Sequence, residues 1–232
     1  MNPRDLQQWL VEKGQPIAVD GDPGPQTRAA LVNAFVNTCA PAVTDEDVSA
    51  IALRLGCATR QLRAVAKVES GGTAYDAQGR PMILFERHLF HRFTSGEHGL
   101  DDFSNPKGGG YNEDSWDKLA RAACLNPLAA FASVSWGRFQ VLGAHAGTPR
   151  YARFLDLGYS SPLELAYSTV TGEAAHYELL SRYIEAAGLR GALRSLSTNP
   201  ADCRPFAKGY NGPSYANFRY HEKLADAMGS PR

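Results

Sequence analysis

The sequence predicts a predominantly helical α+β domain with a small β-sheet, and three features predict it. Apolar residues recur at helical spacing after Pro41, as in Trp116, Leu119, Ala120 and Ala123, and again in Tyr177, Leu180, Ile184 and Ala187. One apolar run, Met82 to Phe85, follows Gly79-Arg80-Pro81 and is short enough for a strand. Helix start and stop signals punctuate the rest: Thr44 with Asp47, Asn126-Pro127, Asn199-Pro200, and the glycines Gly56 and Gly71-Gly72. A chain of 232 residues, 44% of them hydrophobic, can bury one substantial core and carry a small appendage.

Composition shifts once, near Ala40-Pro41-Ala42-Val43, and divides an opening segment, 1–40, from a main domain, 41–232. In the opening segment two apolar helical stretches flank Asp20-Gly21-Asp22-Pro23-Gly24-Pro25, which is turn chemistry. Leu6 and Leu10 form one apolar face, and Ala30, Leu31 and Phe35 the other. A unit of about 35 residues is too small for a core of its own, so it should lean on the main domain. There Thr44 opens a helix that Gly56 ends, and Thr59 is read as the cap of the next, running to Ser70. Loop composition holds from Asp101 to Asn112. Internal repeats and low-complexity tracts are absent.

Lys+Arg and Asp+Glu balance at 24 each, which argues against nucleic acid and against anionic membrane surfaces as partners. The polar start, Met1-Asn2-Pro3-Arg4-Asp5, leads into no long apolar run, so neither a secretory signal nor a membrane span is expected, and synthesis should be cytoplasmic. The four cysteines fit no CxxC pattern and are expected to be reduced and mostly buried.

Glu69 carries the most information. Leu62, Val65 and Ala66 mark the apolar face of the helix from Thr59, and position 69 is the next place on it. A carboxylate there loses water, and in the last turn it also meets the negative end of the helix dipole. Both effects raise its pKa, which suits a general acid working near neutral pH. The alternative is a Glu paired with an Arg at a helix end.

Glu86 ends the apolar run and precedes Arg87-His88; it is a second candidate carboxylate or an ordinary solvated strand end. Two carboxylates flanking a cleft are the minimum for glycoside hydrolysis. Ser135-Trp136-Gly137-Arg138-Phe139-Gln140 offers a glycine for close backbone approach and an amide that donates and accepts, or else a helix break with a buried aromatic. Gly209-Tyr210-Asn211-Gly212-Pro213 reads as a turn with an aromatic beside an amide, a pairing that suits sugars. His88, His91 and His98 lack a matching metal-ligand set, Lys107-Gly108-Gly109-Gly110 lacks phosphate-loop spacing, and no GxSxG elbow exists.

In order along the chain, Lys67-Val68-Glu69-Ser70-Gly71-Gly72, Gly79-Arg80-Pro81 through Leu84-Phe85-Glu86-Arg87-His88, Ser135 to Gln140, and Gly209 to Pro213 resemble the N-acetylmuramidase domain of phage and prophage endolysins. The likeness spans roughly residues 45–228. The Glu-Ser, Gly-x-x-Gln and Tyr-Asn elements are shared more loosely with soluble lytic transglycosylases and goose-type lysozymes, which implies a lysozyme-like fold. Val19 to Leu31 resembles the peptidoglycan-binding module that often precedes such domains.

The resemblance implies hydrolysis of the β-1,4 bond between N-acetylmuramic acid and N-acetylglucosamine in bacterial peptidoglycan. Glu69 is expected to protonate the leaving oxygen and Glu86 to serve as second carboxylate, about 6.5–9.5 Å away if the enzyme inverts. Ser70, Ser135, Gln140, Tyr210 and Asn211 are expected to line the cleft. Neither metal nor organic cofactor is called for, and the enzyme is expected to be a monomer made in the host cytoplasm that reaches the wall after release. Competing readings are a lytic transglycosylase, a wall-binding module without catalysis, and a structural phage component on the same fold.

Overall fold

A computed structural model describes residues 1–69 and 73–230. Its helices, in chain order, are α1 (Pro3–Glu12), α2 (Pro25–Ala34), α3 (Asp45–Leu55), α4 (Thr59–Glu69), α5 (Arg87–Phe93), α6 (Ser115–Leu125), α7 (Pro127–Ala132), α8 (Pro162–Ser168), α9 (Glu173–Ala186), α10 (Arg190–Arg194), α11 (Pro200–Asn211) and α12 (Tyr220–Gly229). Three short strands, β1 (Ile83–Phe85), β2 (Val134–Trp136) and β3 (Val141–Leu142), form one antiparallel sheet in that order. The chain divides into two compact units, one of Met1–Ala40 with Tyr75–Thr171, the other of Pro41–Ala74 with Gly172–Arg232.

The first unit is built around aromatic rings. Phe35, fully buried just after α2, has its ring centroid 5.2 Å from Trp116, 5.6 Å from Trp136 and 6.0 Å from Phe131. The opening helices therefore share a core with α6, α7 and β2, as their small size requires. Register in the sheet pairs Ile83 with Trp136, Phe85 with Val134, and Ser135 with Leu142. Alternation along β2 buries Val134 and Trp136 and leaves Ser135 half-buried on the other face. Beyond β3 the backbone passes so close to α7 that a Cβ on Gly143 would stand 2.1 Å from the Phe131 carbonyl oxygen, so only glycine fits.

In the second unit α4 packs on α3 and α12, α11 on α12, and α3 on α9. The capping box expected at Thr44 is present: its hydroxyl accepts the Asp47 N–H at 3.1 Å, and Asp47 accepts the Thr44 N–H at 3.0 Å. Gly56 ends α3 in the left-handed conformation with φ of 68°. Thr59 is not a cap but the first residue of α4. The orphan N–H of Ala58 is satisfied instead by the Gln61 side chain at 2.9 Å. Leu62, Val65 and Ala66 are buried, as the helical spacing predicts.

Two further readings are corrected. Gly209-Tyr210-Asn211 is the last turn of α11, which Gly212 terminates, and not a free turn; Gly209 lies within the helix where Leu189 packs so close that a Cβ would stand 2.3 Å from its Cδ2. The four cysteines are free thiols, but only Cys203 is buried; Cys39 is exposed, and Cys57 and Cys124 are half-buried.

If the opening helices share this core, Phe35→Ala should lower unfolding free energy by about 3–5 kcal/mol. Urea denaturation checks it, and a loss below about 1 kcal/mol would show that the ring fills no essential space.

Candidate active site

Glu69 is the C-terminal residue of α4. Its helix face is set by Leu62, Val65 and Ala66, and that face aims the carboxyl inward at a helix end where the macrodipole opposes negative charge. Asn211, at the end of α11, donates from Nδ2 to Glu69 Oε1 at 2.9 Å. Burial lifts the Glu69 pKa from 4.5 to about 7, against the smaller lowering effects of the Asn211 hydrogen bond and the Lys223 ammonium on α12. The carboxyl is thus protonated in a useful fraction of molecules at neutral pH. The amide N–H on Oε1 favours that atom as the carbonyl-like oxygen, leaving Oε2 to carry the proton.

Two tyrosines complete these surroundings. Tyr210 stacks on Phe206, with centroids 5.7 Å apart, and meets Tyr183 of α9 edge-on at 5.1 Å. The Tyr210 phenol is raised well above its usual pKa by burial first and then by the Glu69 charge, and Tyr183 shifts the same way for the same two reasons. Both rings are therefore neutral at any pH where Glu69 titrates. Glu69, Tyr210 and Asn211 are brought together within the second unit; Ser70 lies outside the described residues. Tyr183 and Lys223 were not singled out in the sequence, since nothing local distinguishes them from other helix-surface residues.

Glu86, Ser135 and Gln140 belong to the first unit. Glu86 follows β1 and occupies the N-cap position of α5, and its backbone N–H donates to the Ser133 carbonyl at 2.8 Å. Its side chain is 17% exposed, accepts the Tyr111 hydroxyl at 3.0 Å and lies 3.3 Å from His88 Nδ1. Burial, then the Glu86 carboxyl, raises the Tyr111 phenol. Tyr111 was also missed, because it sits in the loop-composition stretch where spacing carries no information. Arg87 anchors that loop, donating to the Lys107 and Gly108 carbonyls at 3.0 Å each.

Ser135 is the half-buried residue at the centre of β2, paired with Leu84 and Leu142. Gln140 is exposed, with φ of 52°, and its Nε2 donates to the Gly137 carbonyl at 2.8 Å. One of its amide donors thus closes the β2–β3 turn, and its position on that turn leaves the side chain facing solvent. The histidines have separate surroundings: His88 faces Glu86, His91 Nδ1 lies 3.2 Å from Ser104 Oγ, and His98 stacks on Phe90. Among the described residues no group of three His, Cys, Asp or Glu is placed to hold a metal ion.

Chemically, the Glu69 site can deliver a proton to a leaving oxygen, and the Glu86 carboxyl is hydrogen-bonded as a base or charge stabiliser would be. A family model for N-acetylmuramidase matches residues 58–231, a span that contains both carboxylates and every other candidate site residue. No curated protein matches the sequence. Among solved structures, the chain is similar to the crystal structure of Burkholderia AP3 phage endolysin, with 28% identity over 97% of this chain and 92% of that one, at a TM-score of 0.71. The helix-rich, lysozyme-like α+β fold expected from the sequence is the fold found. The chain belongs to the N-acetylmuramidase family and is a glycoside hydrolase that acts on peptidoglycan.

Proposed function

We propose that the protein is an endolysin that cleaves the β-1,4 bond between N-acetylmuramic acid and N-acetylglucosamine, with Glu69 as general acid. The observation that carries this reading is a half-buried carboxyl at a helix end, with a pKa of about 7, held on one oxygen by Asn211. Glu69 transfers its proton to the glycosidic oxygen as the bond from C1 to that oxygen breaks, and positive charge develops on C1 and the ring oxygen. Water then adds to C1 and gives its proton to Glu86, whose carboxyl accepts the Tyr111 hydroxyl. Ser70, Ser135, Gln140, Tyr210 and Asn211 serve the sugars as polar and aromatic contacts.

In this reading residues 41–232 carry the catalysis, and residues 1–40 hold the enzyme to the wall. The enzyme works as a monomer, is made in the host cytoplasm and meets its substrate after release. Among the described residues no helix is long and apolar enough to cross a membrane.

Replacing Glu69 by Gln keeps the shape and removes the proton. Clearance of purified sacculi should fall by at least about 10²- to 10⁴-fold in a variant that stays folded; near-normal clearance by such a variant would refute the assignment.

Because the acid must be protonated, kcat/KM should decline as pH rises through about 7. Asn211→Ala removes a hydrogen bond that lowers the Glu69 pKa, so the alkaline limb of its profile should move upward. Stability is linked to the same group. A folded-state pKa raised above 4.5 means that the folded protein binds more protons in the window from 4.5 to about 7, so stability is lost as pH rises through it. Glu69→Gln should therefore gain on the parent in urea melts across that window, and a constant difference would contradict the raised pKa.

Hydrolysis and transglycosylation share the acid but differ in the nucleophile, and a second carboxyl is more useful for activating water than for an internal hydroxyl already held nearby. Mass spectrometry of borohydride-reduced digests should find reduced muramic ends. Mainly 1,6-anhydro ends, lighter by one water and resistant to reduction, would instead assign a lytic transglycosylase.

A further inference from the structure

We propose that the protein has a second saccharide site, a cavity of about 370 Å³ between α1 and α8, which takes an N-acetylated sugar bearing a carboxylate. The inference rests on the wall-holding role proposed for residues 1–40 and gives that role a place and a chemistry. The volume lies in the usual small-ligand range of roughly 300–1,000 Å³.

Trp9 of α1 and Tyr167 of α8 form the aromatic wall, meeting edge to face at 5.1 Å with an interplanar angle of 89°. Both are half-buried, whereas the other two tryptophans, Trp116 and Trp136, are 4% and 0% exposed. A half-buried indole lining a cavity offers apolar ring surface to the C–H face of a sugar.

The rim supplies the polar half. Ser168 Oγ donates to the Leu165 carbonyl at 2.7 Å, and Thr171 Oγ1 donates to the Ser168 carbonyl at 2.9 Å. With their protons committed to backbone, these hydroxyls present lone pairs, which accept from sugar hydroxyls and from an acetamido N–H. Lys13 places its ammonium 4.4 Å from the Tyr167 centroid and 5.6 Å from that of Trp9. Among the described residues it is the only Lys or Arg side chain lining the cavity. The other charged side chain there, Glu164, accepts the Ser160 N–H. An ammonium beside an aromatic wall selects an acidic sugar over a neutral one, and muramic acid with its peptide stem is of that class.

The site belongs to neither half alone. Residues 1–40 supply Trp9 and Lys13, and residues 159–171 supply Tyr167 and the hydroxyls. Phe35 packs against both walls, its centroid 6.1 Å from that of Trp9 and 5.6 Å from that of Tyr167.

Intrinsic fluorescence tests this directly, since Trp9 lines the cavity and the other two tryptophans are buried. The full chain carrying Glu69→Gln, which spares the probe, is titrated with N-acetylglucosaminyl-N-acetylmuramyl dipeptide and, separately, with neutral chitobiose. We expect a saturable emission change that is lost in Trp9→Phe and in Thr171→Phe, an exposed position where the new ring fills the cavity. Lys13→Glu should weaken the acidic probe by about tenfold and leave the neutral one unchanged. No saturable change, a change that survives either aromatic-site substitution, or equal sensitivity of both probes to Lys13→Glu would overturn the proposal. Failure of the muramidase mechanism would appear separately, in sacculus clearance with Glu69 intact, because the titration needs no turnover.

Discussion

The carboxyl of Glu69 is half-buried at the wrong end of a helix for a negative charge, and the elements packed around it answer to that fact. Leu62, Val65 and Ala66 anchor the face of α4 that carries it inward. The packing of α11 and α12 brings one amide donor and one ammonium toward it, from Asn211 and Lys223. Each favours the charged form, yet desolvation outweighs both and leaves a pKa of about 7. A stronger partner, such as a bidentate arginine, would stabilise the fold and hold the proton off. The site therefore trades stability at high pH for an acid that is still loaded near neutrality.

In the first unit, rigidity comes from packing. Phe35 and Trp136 pack against each other and each against Trp116 and Phe131, and the Trp136 indole N–H is satisfied by the Phe131 carbonyl at 3.2 Å. A ring cluster of this kind locks β2, and β2 in turn sets the register of β1, whose end carries Glu86. The two-residue period of β2 turns Trp136 to the core and Ser135 to the opposite face, so one residue serves stability and its neighbour remains available for contact.

How much of this was legible in the sequence depends on which interactions are local. Glu69 was readable because helix periodicity places a residue on a face without knowledge of the rest of the fold. Its raised pKa came from the same reasoning, since burial and the helix dipole are both local consequences. Asn211 was picked out as a candidate but assigned to a turn: glycine and proline around it look like turn chemistry, whereas Gly209 is a close approach to Leu189 inside α11, a contact distant in sequence. Tyr111 could not have been found, because its partner Glu86 is 25 residues away and no periodic pattern spans a loop. Lys223 was equally silent, since its effect on Glu69 depends on how α12 packs against α4. Helix α5 was also unread: Arg87 to Phe93 is only seven residues long and opens without a side-chain cap.

The two carboxyls are held by different means, and the difference bears on the roles proposed for them. Burial governs Glu69, and burial favours the protonated form; the group is suited to giving a proton away. Glu86 accepts the Tyr111 hydroxyl at 3.0 Å, and the His88 ring lies 3.3 Å from the same carboxyl. Both carboxyls have reduced contact with water, so solvent exposure alone does not separate them. Each accepts one hydrogen bond, Glu69 from the Asn211 amide and Glu86 from the Tyr111 hydroxyl, so what sets Glu69 apart is a loss of water that one donor and a nearby ammonium do not offset.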